Sequence, residues 1–152
     1  MIPRPAISAD PFSIPSPIDL TFAQEIKIDT ERAVQIPVKK LSITQGFSIF
    51  HPGVDLDGLT GDSINPIMGG KVIGIQHSHL NYGNAIIIDH GNQITSLYAH
   101  LSKIFVKIGD EVNSNSIIGL MGSTGHSTGD HLHLEVRVKG YPVNPRTIIP
   151  LK

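Results

Sequence analysis

Apolar residues along this chain recur in short runs that are separated by turn signals. From Leu41 onward, the runs are interrupted by segments rich in glycine and polar residues: GLTGDS, HLNYGN, DHGN, IGDE, GSTGHSTGD and KGYPVNP. Regular spacing of this kind is typical of an all-β sandwich or barrel. We therefore predict an all-β fold in which no helix is longer than two turns.

The segment 131–139 has the clearest alternation. Leucine and valine occupy its even positions, whereas His131, His133 and Glu135 occupy odd ones. Because a strand points residues i and i+2 to the same face, about 6.6 Å apart along the backbone, both imidazoles should share one face. The opposite, apolar face belongs to the core. The pattern predicts a strand that presents two histidines away from the core.

The N-terminal part of the chain has a different character. Residues 1–20 carry five prolines and are expected to form an extended arm or linker. Period-two alternation then predicts two strands, around residues 25–29 and 33–38. We expect an arm with leading strands over residues 1–35 and a single main domain over residues 36–152.

One internal echo links two turns of the main domain. The sequence GDSIN at 61–65 resembles GDEVN at 109–113, and each is followed by an apolar stretch with glycine. A duplicated hairpin would explain the echo, and so would the shared chemistry of turns and strand entry. Both explanations stay open at this point.

Composition narrows the class of protein. Isoleucine and valine number 32, against 21 for alanine, leucine and glutamate together, which favours strands over helices. The absence of cysteine excludes a disulfide scaffold, a thiolate zinc site and a cysteine nucleophile. With a net charge of −1, the chain lacks the surplus of basic residues that a general nucleic-acid binder needs. We expect no nucleic-acid partner.

No stretch of the sequence approaches the roughly 20 apolar residues that are needed to cross a bilayer. Prolines in the first 17 residues stand where a signal peptide would need an apolar run. We expect no membrane span, and we expect any export signal to be encoded outside this sequence.

Eight histidines in so small a chain are the first indication of its chemistry. Neutral imidazoles and carboxylates are the ligands that zinc prefers when no thiolate is present. His51 and Asp55, in the segment HPGVD, lie on a loop that leads into a strand, because the proline and glycine between them disfavour a helix. A turn histidine and a capping carboxylate would also explain this pair. Asp57 would share a strand face with Asp55 and is a rival ligand.

Other histidines fall in less informative settings. His100 ends an alternating strand and is predicted to share a face with the even-numbered residues of 94–98. His77 and His79 form a second His-x-His pair. That pair stands beside a turn with no alternating strand to align it, so we expect both side chains to be exposed.

Three separated motifs, HPGVD, YAHLS and HLHLE, occur in this order, and GSTGHSTGD directly precedes the last. Together they resemble the lysostaphin-type (LytM-like) zinc endopeptidases of bacteria, over about residues 36–150. That family hydrolyses peptide bonds in the peptidoglycan of bacterial cell walls. The resemblance implies a compact antiparallel β-sandwich or duplicated-hairpin fold with an open active-site groove and little helix.

Transferred motif by motif, the resemblance implies one Zn²⁺ per chain, held by His51, Asp55 and His133. It gives catalytic roles without metal binding to His100 and His131. Spacing alone does not distinguish His131 from His133. The implied reaction is amide hydrolysis by a zinc-activated water, in which the two catalytic histidines transfer protons and stabilise the oxyanion.

The resemblance also bears on residues around the site. Glu135 is expected to support the site rather than to act directly. His126 and His90 are expected at the rim of the groove, where His126 can contact substrate and His90 is structural. Asp130 stands where relatives commonly have a proline, which leaves the shape of the groove and the substrate preference open.

The leading hypothesis is a monomeric zinc endopeptidase of the bacterial cell envelope, or a secreted one, that cuts peptidoglycan peptides. A non-catalytic wall-binding or activator module of the same fold is the alternative, and the presence of all five site residues argues against it. A biotinyl- or lipoyl-carrier domain is suggested by PIMGGKVIGIQ, but Lys71 lacks the hairpin-tip setting. The sequence leaves Gly-Gly bridges and D-Ala-containing cross-links equally open as the bond cut.

Overall fold

The computed structural model describes residues 11–12 and 34–151. Within these residues the chain forms ten strands and one short 3₁₀ helix, Pro145–Thr147. The strands are β1 (Ile43–Gln45), β2 (Val54–Asp57), β3 (Ser63–Ile64), β4 (Gly70–Gln76), β5 (Asn84–Asp89), β6 (Ile94–Ile104), β7 (Glu111–Val112), β8 (Gly119–Met121), β9 (His131–Val138) and β10 (Tyr141–Val143). The prediction of an antiparallel all-β fold with little helix is confirmed.

Every strand pairs with its neighbours in the antiparallel sense. The main path runs in the order β1-β2-β9-β6-β5-β4-β7. β10 pairs with β9, and β8 joins β3 to β6. The register places Asp55 of β2 opposite His133 of β9, and Ala99 of β6 opposite the same histidine. Strand pairing therefore brings three motifs that are far apart in sequence to the centre of one sheet.

An apolar cluster packs on each face of this sheet. On one face, the even-numbered residues of β9 and β2 join the main core, which includes Val54, Leu56, Leu132, Leu134, Val136 and Val138. Full burial of each such side chain contributes about 1.5–3 kcal/mol relative to exposure. On the other face, a smaller cluster comprises Tyr82, Ala85, Ile87, Leu97 and Ala99, with Phe12 packed against it. The apolar face predicted for residues 131–139 is confirmed.

The two echo segments adopt the same local structure. Gly61 and Gly109 have φ values of +99° and +98°, a backbone conformation that glycine adopts without strain. The aspartate after each glycine accepts a hydrogen bond from the backbone N–H three residues earlier. The short strands that follow exchange partners, since β3 pairs with β8 and β7 pairs with β4. This reciprocal pairing agrees with the duplicated-hairpin description.

The prediction of a strand over residues 33–38 is wrong for its described part. Residues 34–38 form no strand and lead into a bend. Gln35 makes isolated bonds instead, from its backbone N–H to Ile67 O (2.8 Å) and from its side chain to Pro66 O (2.8 Å). Pro37 lacks an N–H, which prevents a continuous ladder. The strand predicted at 25–29, and the arm apart from residues 11–12, lie outside the described residues.

No helix in the described part of the chain combines the length and the apolar character that a membrane crossing requires.

Candidate metal centre

Three of the predicted site residues meet where β2 and β9 lie side by side. Ligand atoms of His51, Asp55 and His133 all lie within 4.8 Å of one another. Asp55 Oδ1 is 3.2 Å from His51 Nε2 and 2.8 Å from His133 Nδ1. Asp55 and His133 meet because they are direct partners in the β2–β9 register. Backbone hydrogen bonds between Ser48 and His51 fold the preceding loop so that His51 returns to the same point.

The second nitrogen of each of these imidazoles is bound to a fixed acceptor. His51 Nδ1 donates to the backbone oxygen of Gly46 (2.9 Å), and His133 Nε2 donates to Glu135 Oε1 (3.0 Å). Such bonds fix the tautomer and orientation of metal-ligating histidines. His51 Nε2, His133 Nδ1 and Asp55 Oδ1 are thereby left to face one another. Two imidazole nitrogens and one carboxylate oxygen fit the ligand preferences of Zn²⁺.

The carboxylates of Asp55 and Glu135 favour a positive charge on or beside His133. Burial alone would raise the pKa of Asp55, but hydrogen bonds with His133 and His51 outweigh burial and hold that pKa well below its usual range. Burial opposes the charged form of His133, yet its hydrogen bonds to Asp55 and Glu135 raise its pKa to about 9. Because a metal ligand must be deprotonated, a metal ion bound at Nδ1 would take the place of the proton that these two carboxylates favour.

The two predicted catalytic histidines lie beside this cluster. The rings of His100 and His131 have centroids 4.8 Å apart, and His131 Nε2 is 3.7 Å from Asp55 Oδ1. His100 Nδ1 donates to the backbone oxygen of Thr124 (2.7 Å), and His131 Nδ1 donates to that of Gly129 (2.9 Å). In the neutral form of each ring, Nε2 is consequently the nitrogen with a free electron pair.

His100 does not share a face with the even-numbered residues of 94–98, so that prediction is wrong. Between the paired residues Ile86–Tyr98 and Asn84–Leu101, the chain moves two residues along β5 but three along β6. His100 lies within this longer stretch of β6 and has a φ of +63°. Tyr98 and Leu101 both face the main core, which means that the alternation is interrupted between them. A β-bulge of this kind redirects a side chain. The bulge places His100 on the site face, where the ring centroids of His100 and His133 are 5.9 Å apart.

The protonation state of His100 follows from its surroundings. Burial lowers the pKa of His100 to about 4, although its bond to Thr124 opposes that shift. The ring is neutral at pH 7 as a result. The neutral ring can accept a proton at Nε2, but its lowered pKa makes it a weaker base than an ordinary histidine.

Behind His133 lies a hydrogen-bond network of which the sequence predicted only Glu135. Glu135 is completely buried, and its Oε1 accepts hydrogen bonds from the Tyr82 hydroxyl (2.5 Å) and from His133 Nε2. Arg137 donates to Glu135 Oε2 from Nε (3.1 Å) and Nη2 (2.8 Å). Burial would raise the pKa of Glu135, but the bond with His133 and the charge of Arg137 lower it, so the carboxylate is ionised. Burial and the neighbouring Glu135 raise the pKa of Tyr82, so its hydroxyl keeps its proton.

Sequence reasoning missed Tyr82 because the residue falls in the NYGN turn. Turn segments carry no alternation from which a buried face is predicted. The resemblance to the lysostaphin-type enzymes also takes in YGNAIIIDHGN, which precedes the YAHLS motif, and this was the one signal that could have drawn attention to Tyr82.

The prediction that His90 lies at the rim is wrong, because the residue is buried with 2% of its surface exposed. Its Nδ1 donates to the backbone oxygen of Gly69 (2.9 Å), and its Nε2 accepts from the Ser96 hydroxyl (2.7 Å). The Tyr98 hydroxyl continues this chain of bonds at 2.8 Å from Ser96 Oγ. These contacts agree with the structural role predicted for His90.

Other candidate residues are not part of the cluster of His51, Asp55 and His133. His77, His79 and His126 are exposed, the first two as predicted. Asp57 is also exposed and is not part of the cluster. Asp130 accepts a hydrogen bond from the backbone N–H of Thr60 (3.1 Å) and thus links the loop after β2 to the loop before β9.

The chain combines an antiparallel β fold with a cluster of two histidines and one aspartate, and two further histidines lie beside that cluster. These features make it a candidate metallopeptidase. Residues 49–145 match the model of peptidase family M23. The chain belongs to this family, as the resemblance to the lysostaphin-type enzymes predicted.

Several bacterial proteins are similar in sequence. Peptidoglycan DD-endopeptidase ShyA of Vibrio cholerae is 47% identical over 94 residues, which are 62% of this chain and 22% of that protein. DD-carboxypeptidase/endopeptidase Mpg of Neisseria meningitidis serogroup B is 42% identical over 98 residues, 64% of this chain and 22% of that protein. Murein hydrolase activator NlpD of Salmonella dublin is 39% identical over 98 residues, 64% of this chain and 26% of that protein. The matched region thus spans about a quarter of these relatives.

Solved structures support the same fold. A putative peptidase M23 from Pseudomonas aeruginosa superposes with a TM-score of 0.72 at 32% identity, covering 80% of this chain and 52% of that one. A zinc-containing peptidase from Vibrio cholerae gives a TM-score of 0.70 at 36% identity, covering 75% of this chain and 39% of that one.

Proposed function

We propose that this chain is a zinc-dependent endopeptidase that hydrolyses peptide bonds of bacterial peptidoglycan. The observation that carries the proposal is the convergence of two imidazoles and a carboxylate within 4.8 Å, beside two further histidines. In this proposal His51, Asp55 and His133 hold one Zn²⁺ per chain, and His100 and His131 are the catalytic residues. The expectation of a monomer stays a prediction.

The residues of the site divide the chemistry between them. When bound, Zn²⁺ supplies a Lewis acid that polarises the scissile carbonyl and lowers the pKa of a water. His100 is kept neutral by burial and offers Nε2 as a proton acceptor. His131, with its Nδ1 tied to Gly129, presents its Nε2 on the same side of the cluster. One of these rings takes the proton of the nucleophile, and the other stabilises the oxyanion or protonates the leaving amine.

Similarity to named relatives supports the choice of substrate. Two of the relatives described above are named as DD-peptidases, one of them explicitly for peptidoglycan. We therefore favour the D-Ala-containing cross-link over a Gly-Gly bridge as the bond cut. The same similarity supports a location in the bacterial cell envelope, or secretion.

The relative NlpD, named as a murein hydrolase activator, gives a second candidate function. An activator would need the fold but no metal chemistry. All five proposed site positions hold histidine or aspartate in this chain, which favours the enzyme.

Digestion of purified peptidoglycan by the zinc-loaded chain tests the proposal. We expect soluble muropeptides whose masses identify a broken D,D cross-link, no digestion after removal of zinc by a chelator, and recovery when Zn²⁺ is returned. Undiminished digestion by metal-free protein would overturn the zinc proposal. A zinc-loaded chain that releases nothing by itself, but accelerates another wall hydrolase, would favour the activator.

A further inference from the structure

The buried carboxylate of Glu135 has a complete set of partners. Its Oε1 accepts from the Tyr82 hydroxyl and from His133 Nε2, and its Oε2 accepts two bonds from Arg137. None of the side chain's surface reaches solvent. Glu135 is thus positioned to act through its neighbours and has no access to a substrate.

This arrangement determines which nitrogen of His133 is available. Oε1 of Glu135 accepts from the Tyr82 hydroxyl and Oε2 accepts from Arg137, so both carboxylate oxygens act as acceptors and the nitrogen that faces Oε1 donates its hydrogen. That nitrogen is Nε2, at 3.0 Å. Nδ1 is then the atom that is free to bind a metal, and it lies 2.8 Å from Asp55 Oδ1.

The tilt of the ring is held as well. The Tyr82 ring lies beside the His133 ring, with centroids 5.7 Å apart and planes inclined by 32°. One residue therefore contacts both the imidazole and the carboxylate that orients it. Arg137 holds the other oxygen of that carboxylate in a two-pronged contact, which limits its rotation.

We propose that Tyr82, Glu135 and Arg137 form a positioning unit that selects Nδ1 of His133 as the metal ligand. In His51 the other ring nitrogen, Nε2, is left for the metal, because Nδ1 donates to the backbone oxygen of Gly46. The inference rests on the proposed function, because it assigns these residues to the zinc site of the enzyme. Glu135 and Tyr82 are positioning residues, since they act through His133.

The decisive measurement is the zinc dissociation constant of each variant, obtained by competition with a chromophoric chelator. In Glu135→Gln, the amide oxygen is drawn towards Arg137, and the amide NH₂ then faces His133 Nε2. That contact favours the tautomer with hydrogen on Nδ1, which does not bind metal there. We expect the dissociation constant to rise about 10–100-fold.

Tyr82→Phe provides a milder variant with a matched control. It removes one donor to Glu135 and keeps the ring, so we expect a smaller rise in the dissociation constant, below about tenfold. Tyr98 is also buried, and its hydroxyl bonds to Ser96 and to the backbone N–H of Ile67 on the core side. Tyr98→Phe makes the same chemical change away from the site. We expect it to leave the zinc affinity at the wild-type value.

The outcomes separate this inference from the proposed function. Wild-type zinc affinity in both Glu135→Gln and Tyr82→Phe would overturn the positioning unit and leave the enzyme proposal intact. Equal weakening in Tyr82→Phe and Tyr98→Phe would also overturn it, because the effect would then follow general stability. Failure of the wild type to bind zinc would overturn both. If Glu135→Gln does not fold, the comparison of the two tyrosine variants decides.

Discussion

His133 and His90 are both buried histidines with both ring nitrogens in hydrogen bonds, yet their surroundings differ in kind. His90 faces a backbone oxygen and a serine hydroxyl, one an acceptor and the other able to donate. A neutral imidazole satisfies both partners at once. His133 faces two carboxylates, which only accept. A neutral ring satisfies one of them and leaves the other nitrogen in need of a proton or a metal.

The comparison shows that burial of a histidine does not by itself indicate a functional site. Burial is nearly the same for both, at 2% and 6% exposed surface. The informative feature is the balance of donors and acceptors around the ring. Where acceptors are in excess, as at His133, a cation is required.

The largest expected effect comes from His133→Ala. Removal of the imidazole leaves the proposed site with His51 and Asp55, so both bound zinc and peptidoglycan hydrolysis should be lost. Elemental analysis of the purified variant checks the zinc content. One zinc per chain in an active His133→Ala protein would contradict the proposed ligand set.

His131→Ala should separate catalysis from metal binding. His131 lies 3.7 Å from Asp55 but is proposed to transfer protons. We expect about one zinc per chain and a loss of about 10²–10⁴-fold in the rate of hydrolysis. If this variant loses zinc while His133→Ala retains it, the two roles are reversed. Both variants should fold, since the apolar face of β9 is unchanged.

His90→Ala tests whether His90 contributes to stability but not to metal binding. The Ser96 hydroxyl and the Gly69 carbonyl would each lose a buried partner. We expect a loss of about 1–3 kcal/mol in the free energy of unfolding, measured by urea denaturation. Zinc content should remain at the wild-type value in the folded protein. A loss of zinc in this variant would remove the distinction between the two histidines.

The sequence was most informative where a regular period governs the structure. Alternation over 131–139 predicted β9 and the common face of His131 and His133, and both are confirmed. Turn spacing predicted the all-β class. The pairing of His51 with Asp55 was already suggested by the HPGVD segment. The addition of His133 came from the family resemblance, since His133 is 78 residues from Asp55 and meets it only through the β2–β9 register.

The errors fall where local conformation depends on distant contacts. Alternation predicted that His100 shares a face with the even-numbered residues of 94–98, because a regular period does not anticipate a left-handed histidine within a strand. That conformation is held in part by the bond from His100 N–H to Tyr82 O (2.9 Å), which joins two separate segments. His90 was expected at the rim because it falls in the DHGN turn, whereas in the structure it is buried and bonds to Gly69, 21 residues away. Neither contact leaves a pattern in the nearby sequence.

The smallest expected effect is a change in how stability depends on pH, and it concerns His100. Burial lowers the pKa of this histidine to about 4 in the folded protein, against about 6.5 in an unfolded chain. Below pH 6.5 the unfolded chain therefore binds the proton more readily, and His100 reduces the stability of the folded state increasingly down to about pH 4. Above pH 6.5 neither state is protonated at His100, and this contribution is constant.

The measurement compares metal-free wild type with His100→Gln by urea denaturation at pH 7, 6 and 5. At pH 7 the two proteins differ by a fixed amount that reflects packing and the lost bond to Thr124. As the pH falls, the wild type should lose stability faster than the variant, because only the wild type carries the suppressed imidazole. A difference that stays constant from pH 7 to pH 5 would mean that His100 titrates normally. His100 would then be protonated at mildly acidic pH and unable to act there as a base.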